Sequence, residues 1–139
     1  GLKKSETLAL RLNHIDLDTP SGALVFVRYA NPQYRFKERK IPLPESWIEH
    51  YPAYASQYNL TDELFPWSPR RLEYLLEDIS VQAGIEKHIS FEMCRWTCAL
   101  SDWQSGMEPD KIRQKLGISK IQWREVRMKL RRLSDPGSE

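Results

Sequence analysis

Long apolar runs are missing from this chain of 139 residues. Without a stretch of about eighteen or more apolar residues there is no membrane span, and the opening GLKKSETLAL lacks the apolar core of a signal peptide, so the cytoplasm is the expected compartment. Cysteine is scarce: Cys94 and Cys98 are the whole supply. Four residues apart on one expected helical face, they are read as core packing and not as a disulfide or a metal site. No other pattern asks for a metal or a cofactor, and none is expected. Linker-like composition is missing too, which leaves one domain over residues 1–133 and a polar tail, 134–139, expected to fray.

What is present is a soluble, globular composition, 40% hydrophobic and 29% charged, with a net charge of only +2. The charge is unevenly spread. Residues 111–132 carry nine Lys or Arg against the single acid Glu125, and residues 28–40 carry five against Glu38. Two basic segments in a balanced chain are the electrostatic footprint of a polyanion site, unless they are merely solvated faces.

Periodicity places the elements. Ser5 is a plausible cap for a first helix, with Leu8, Leu12 and Ile15 near helical spacing. TPSG signals a turn before a strand, ALVFVRYA, and after NPQ a second strand, YRFKERKIPL, would pair back as a hairpin. PESWIEHYPAYASQY reads as a helix interrupted by Pro52. Ser68 and Pro69 start a helix carrying Leu72, Leu75, Leu76, Ile79 and Ala83, which Gly84 ends. Ser90 caps FEMCRWTCALSDW, apolar on nearly every side and therefore expected to be buried. PDKIRQKL and SKIQWREVRMKLRRL close the chain around Gly117. The expected fold is mainly α with a small antiparallel sheet (α+β).

These segments together resemble the catalytic domain of the tyrosine recombinases, or phage integrases. GLKKSETLALRLNHIDLD resembles the family's opening motif, FKERKIPLP its β-hairpin strand, LFP with the following capped helix and AGIEKHIS its middle section, and GMEPDKIRQKLGIS its Leu-Gly-His segment. The resemblance spans most of the chain, with four motifs in the family's order. It implies a tyrosine-recombinase catalytic-domain-like fold in which the family has earlier helices and usually an N-terminal DNA-gripping domain; this chain is expected to lack both, as a fragment or as an unusually short domain.

The family's chemistry needs Arg residues and a His or Trp around the scissile phosphate, a Lys and a His for proton transfer, and a Tyr that attacks phosphorus. Carried over by position, the first Arg falls on Lys3, which keeps charge without the bidentate fork. The hairpin Lys falls near Tyr34, with Lys37 its nearest substitute. In His-x-x-Arg-His the first His falls on Glu92, the Arg is kept as Arg95, and Trp96 follows. The Leu-Gly-His histidine falls on Ile118 and the nucleophile on Arg127. All six tyrosines and all three histidines precede Arg95, so no shift of register puts a tyrosine in the final helix. The expectation is a pseudoenzyme, able to take part in strand transfer only if another chain supplies the tyrosine. Glu92, three residues before Arg95, is expected to hold it in a buried ion pair.

In the final helix Trp123, Val126, Leu130 and Leu133 make one apolar face, while Lys120, Arg124, Arg127 and Arg131 make a separate basic stripe. The expected DNA contacts are Lys3, Arg35, Lys37, Arg39, Arg95, Lys120, Arg124 and Arg127, mostly to phosphates of duplex DNA, in an accessory, architectural or regulatory and nucleoid-associated role. An active recombinase or a second copy of the chain is the expected partner. Three other readings stay open. DKIRQKLGISKIQWREV has the spacing of a helix-turn-helix transcriptional regulator. The aromatics of HYPAYASQYNL suit a protein-interaction module that kept the fold. Ser119 or Cys94 would be the nucleophile of an unorthodox enzyme.

Overall fold

The computed structural model describes residues 1–135. Of the expected tail, Ser134 ends the last helix and Asp135 caps it, and the remainder lies outside the described residues. The chain divides into two compact units, Lys4–Pro69 and Gly1–Lys3 with Arg70 onward.

In the first unit, α1 (Lys4–Leu8) is followed by a three-stranded antiparallel sheet in the order β1 (Ile15–Thr19), β2 (Gly22–Val27), β3 (Arg39–Pro42). In β2, Ala23, Val25 and Val27 are buried and alternate with half-buried Leu24 and Phe26, as a half-covered strand requires. Val25 pairs with Ile15 on one side and Ile41 on the other. The turn from β1 depends on Gly22, whose φ of 109° an L side chain would strain.

Three expectations are corrected here. The first helix does not run on to Ile15. Beyond Leu8 the chain extends, because Leu10 and Leu12 bond to a distant segment: the Leu64 N–H donates to the Leu10 carbonyl at 3.0 Å and the Leu12 N–H to the Asp62 carbonyl at 2.7 Å. Those long-range bonds bury Leu10 and Leu64 and override the helical spacing. The returning strand is also shorter than YRFKERKIPL. Asn31 accepts from the Gln33 N–H at 3.0 Å and Pro32 follows, so Pro32–Lys37 winds into a 3-10 helix and pairing begins only at Arg39. Helix α2 (Glu45–Gln57) continues through Pro52 without interruption. Ring packing holds both sides of the proline: Trp47 stacks on Tyr51, and Tyr54 meets Tyr58, Phe65 and Trp67.

The second unit is helical. α3 (Pro69–Gln82), α4 (Phe91–Gln104), α5 (Pro109–Leu116) and α6 (Lys120–Ser134) follow the sequence expectations closely. Ala99, Ile112, Leu116, Trp123 and Leu130 form its buried cluster, with Trp96, Leu100, Trp103, Met107, Ile118 and Val126 packed around it. Helix α4 is less buried than its composition predicts. Only Ala99 is fully covered, while Met93 and Cys94 are exposed and Cys98 is half-buried. The reading of both cysteines as core residues is therefore corrected: its four-residue spacing was right, but Cys94 sits at the edge of the covered face.

Candidate nucleic-acid interface

Helix α6 begins at a capping box. The Gln122 N–H donates to Ser119 Oγ at 3.2 Å, and the Ser119 N–H donates to Gln122 Oε1 at 3.1 Å. The turn before it rests on Gly117, buried at φ 67°, whose N–H returns to the end of α5. Trp123 and Leu130 then bury one side of α6, with Val126 half-buried between them, although Leu133 is exposed. Fixing that side fixes the other. Lys120, Arg124, Arg127 and Arg131, spaced four, three and four apart, all lie exposed along one ridge.

Apart from Arg132, which is exposed, the nine cations of 111–132 divide by environment. Lys111 pairs with Glu108, Arg113 with Asp110, and Lys115 with Asp102 at 2.8 Å, while Lys129 lies 4.0 Å over the Trp96 ring. Arg113 also donates to the Ile118 carbonyl at 3.2 Å, bracing the α5–α6 turn. Burial alone pulls the Lys115 ammonium down, but its hydrogen bond to Asp102, with Cys98 beside it, leaves its pKa above the ordinary lysine value. The four ridge cations take part in no ion pair among the described residues. Beside them Ile121 is 77% and Met128 62% exposed. The sequence reading missed this apolar flank, although both residues sit off the Trp123–Leu130 face, which was the available signal.

The other expected site residues are placed differently. Lys3 is half-buried. The Arg95 guanidinium donates to the Gly1 carbonyl at 2.8 Å and the Leu116 carbonyl at 3.2 Å. Glu92 is exposed, so the expected buried Glu92–Arg95 pair is not formed; Arg95 is oriented by backbone carbonyls instead. Ile118 packs against the core cluster.

In the first unit Arg39 must be corrected. Its guanidinium forks onto Glu6, with Nη1 at 2.7 Å from Oε2 and Nη2 at 2.9 Å from Oε1, and the Tyr29 hydroxyl donates to the same carboxylate. With side-chain exposures of 7% for Arg39 and 2% for Glu6, this cation is spent inside the unit. Burial, followed by the Glu6 hydrogen bond and charge, pushes the Tyr29 phenol up to about 12 despite Arg39. Arg35 remains exposed, and Lys37 lies 5.0 Å from the Tyr34 ring centroid. Tyr34, near which the resemblance would put the family's lysine, is exposed on the 3-10 helix and not on a strand. Glu38 accepts from the Tyr29 N–H at 2.9 Å and from Arg28 at 3.2 Å. The backbone bond first, and then Arg28, hold its carboxyl below the usual range against burial.

Among the described residues no group of three His, Cys, Asp or Glu is placed to hold a metal ion, and no helix is long and apolar enough to cross a membrane. No protein-family model matches the chain, and no curated protein does. Among solved structures it is similar to the crystal structure of XerA recombinase, with a TM-score of 0.75 at 21% identity, over 89% of this chain and 46% of that one. The mostly helical chain with its small three-stranded antiparallel sheet therefore has a tyrosine-recombinase catalytic-domain-like fold, and it spans about half the length of that neighbour.

Proposed function

We propose that this chain is a catalytically inactive, tyrosine-recombinase-like DNA-binding domain that contacts duplex phosphates and serves an accessory, architectural or regulatory role beside an active recombinase or a second copy of itself. The carrying observation is the α6 ridge, four exposed cations without ion-pair partners among the described residues, with Arg127 where the family resemblance puts the attacking tyrosine. A row of guanidinium and ammonium groups on a rigid helix suits a polyanion, whose condensed counterions it would release. Lys3, Arg35 and Lys37 join the reading as further contacts, and Arg95 keeps a positioning role.

The test is fluorescence anisotropy with a labelled duplex at low and moderate salt. Arg124→Ala with Arg127→Ala is expected to weaken binding to every duplex alike and to reduce the slope of log K against log salt by about 2. Unchanged affinity and slope would make the ridge a solvated face. A helix-turn-helix regulator would instead lose discrimination between sequences.

A second reading has its own observation. An open, mostly apolar hollow of about 410 Å³ in the first unit is lined by Pro44, Trp47, His50, Tyr51, Tyr54 and Phe65, and it suits an interaction module. Absence of duplex binding at both salts would favour it.

A further inference from the structure

We propose that the 3-10 helix Pro32–Lys37 grips single-stranded nucleic acid, with Phe36 stacking on an unpaired base while Arg35 and Lys37 hold the adjoining phosphates. This rests on the nucleic-acid reading above and adds a substrate class to it, on a surface contained wholly within the Lys4–Pro69 unit.

Phe36 is 65% exposed, and Tyr34, two residues before it, is exposed as well. Large rings left in water on a frayed loop would mean little, but this segment is braced. Asn31 caps its start, the Tyr34 N–H donates to the Asn31 carbonyl at 3.0 Å, and the Glu38 N–H donates to the Arg35 carbonyl at 3.0 Å. Buried Arg39 also donates to the Lys37 carbonyl at 2.9 Å, which ties the end of the segment to the Glu6 ion pair. The rings are thus presented on a fixed support, which lowers the ordering cost of stacking.

Charge around the rings selects the occupant. Arg35 and Lys40 are exposed, and the Lys37 ammonium lies 5.8 Å from the Phe36 centroid as well as beside Tyr34. The nearby acid, Glu38, is already held by Arg28. Aromatic rings interleaved with cations complement a chain that alternates planar apolar faces with phosphates, and single strands are bound in this way. A duplex offers base edges and sugars but hides its base faces in the stack, so ring stacking favours the unpaired form.

The experiment compares anisotropy of labelled oligothymidylate and of a duplex of equal length for the wild type, Phe36→Ala, Phe36→Trp, Arg35→Ala with Lys37→Ala, and the α6 double variant, with circular dichroism confirming the fold of each. Phe36→Ala is expected to weaken oligothymidylate binding about fivefold or more and leave duplex binding within about twofold, with Phe36→Trp retaining both. Removing both cations is expected to lower the single-strand salt slope by about 1.4. If Phe36→Ala leaves oligothymidylate binding unchanged while the α6 variant still loses the duplex, this proposal fails and the duplex reading stands. Equal loss on both nucleic acids would make Phe36 a wedge into duplex DNA and overturn the single-strand assignment. No binding of the wild type to either would end both readings.

Discussion

Arg39 and Arg127 carry the same side chain, and burial separates what each can do. Arg39 closes its fork on Glu6 under the cover of the first unit, whereas Arg127 stands in solvent on α6. A buried pair of this kind is costly to halve. Glu6→Ala strands the Arg39 charge and removes the acceptor of the Tyr29 hydroxyl, so it is expected to destabilise the protein by about 3–5 kcal/mol in urea unfolding, whereas Arg127→Ala is expected to lie within about 0.5 kcal/mol of the wild type. Their sequence contexts gave no means of telling the two arginines apart, since the Arg39–Glu6 contact joins residues 33 positions apart. The same environment sets an alkaline limit. Tyr29 and Tyr54 both titrate at about 12, Tyr29 through burial and Glu6, Tyr54 through burial with Tyr58 and Tyr51 nearby. A phenol whose pKa is raised on folding contributes its full stability below the unfolded value near 10 and loses it as pH rises toward 12. Tyrosinate ultraviolet absorbance, resolved with Tyr29→Phe and Tyr54→Phe, should show these two phenols ionising late, together with the loss of far-ultraviolet circular dichroism. Ionisation of Tyr29 and Tyr54 near pH 10 in a still-folded protein would contradict this placement.

At the scale of elements, legibility follows how local the deciding interaction is. The starts of α4 and α6 were readable because Ser90 and Ser119 accept from N–H groups three residues on, and the end of α5 because only glycine sits easily at φ 67°. The first helix is shorter than its spacing suggests because pairing of Leu10 and Leu12 with residues 62–64 decides its end, and the strand before β2 is not legible because its partners lie in β2 itself, Val25 opposite Ile15. The 3-10 helix at Pro32–Lys37 has a local signal, the Asn-Pro start, but the alternating apolar residues of YRFK fit a strand as well. Local devices that are legible should also be separable by mutation. Ser119→Ala should cost about 1 kcal/mol through the lost cap. Gly117→Ala should cost about 1–2 kcal/mol through its left-handed backbone. Leu130→Ala should cost about 2–5 kcal/mol, because it opens a cavity under the ridge. If the ridge acts through its charges, Ser119→Ala will weaken duplex binding less than Arg127→Ala does, although Arg127→Ala is the milder change for stability.

For the molecule as a whole, the fold was legible because four weak motifs kept the family's order across most of the chain, although 21% identity to the structural neighbour leaves little else to match. The proposed function rests chiefly on what is missing, and its consequence can be pressed further than the loss of one nucleophile. If the proposed inactivity came from the tyrosine alone, Arg127→Tyr would restore strand cleavage. The proposed reading forbids this. On that reading the resemblance puts Lys3, a point charge, where the family has a forked guanidinium, Ile118, which packs against the core cluster, where it has a proton-transfer histidine, and the carboxylate of Glu92 where it has an imidazole. Each such loss typically lowers the rate by about 10²–10⁴, and together they leave a restored tyrosine without the cations and proton donors its transition state needs. Incubated with a nicked suicide duplex, neither the wild type nor Arg127→Tyr should form an adduct that survives denaturing electrophoresis. An adduct with Arg127→Tyr alone would mean that the remaining groups still form a working phosphate site and that this chain lies a single substitution from catalysis, while an adduct with the wild type would mean that another nucleophile of this chain is at work.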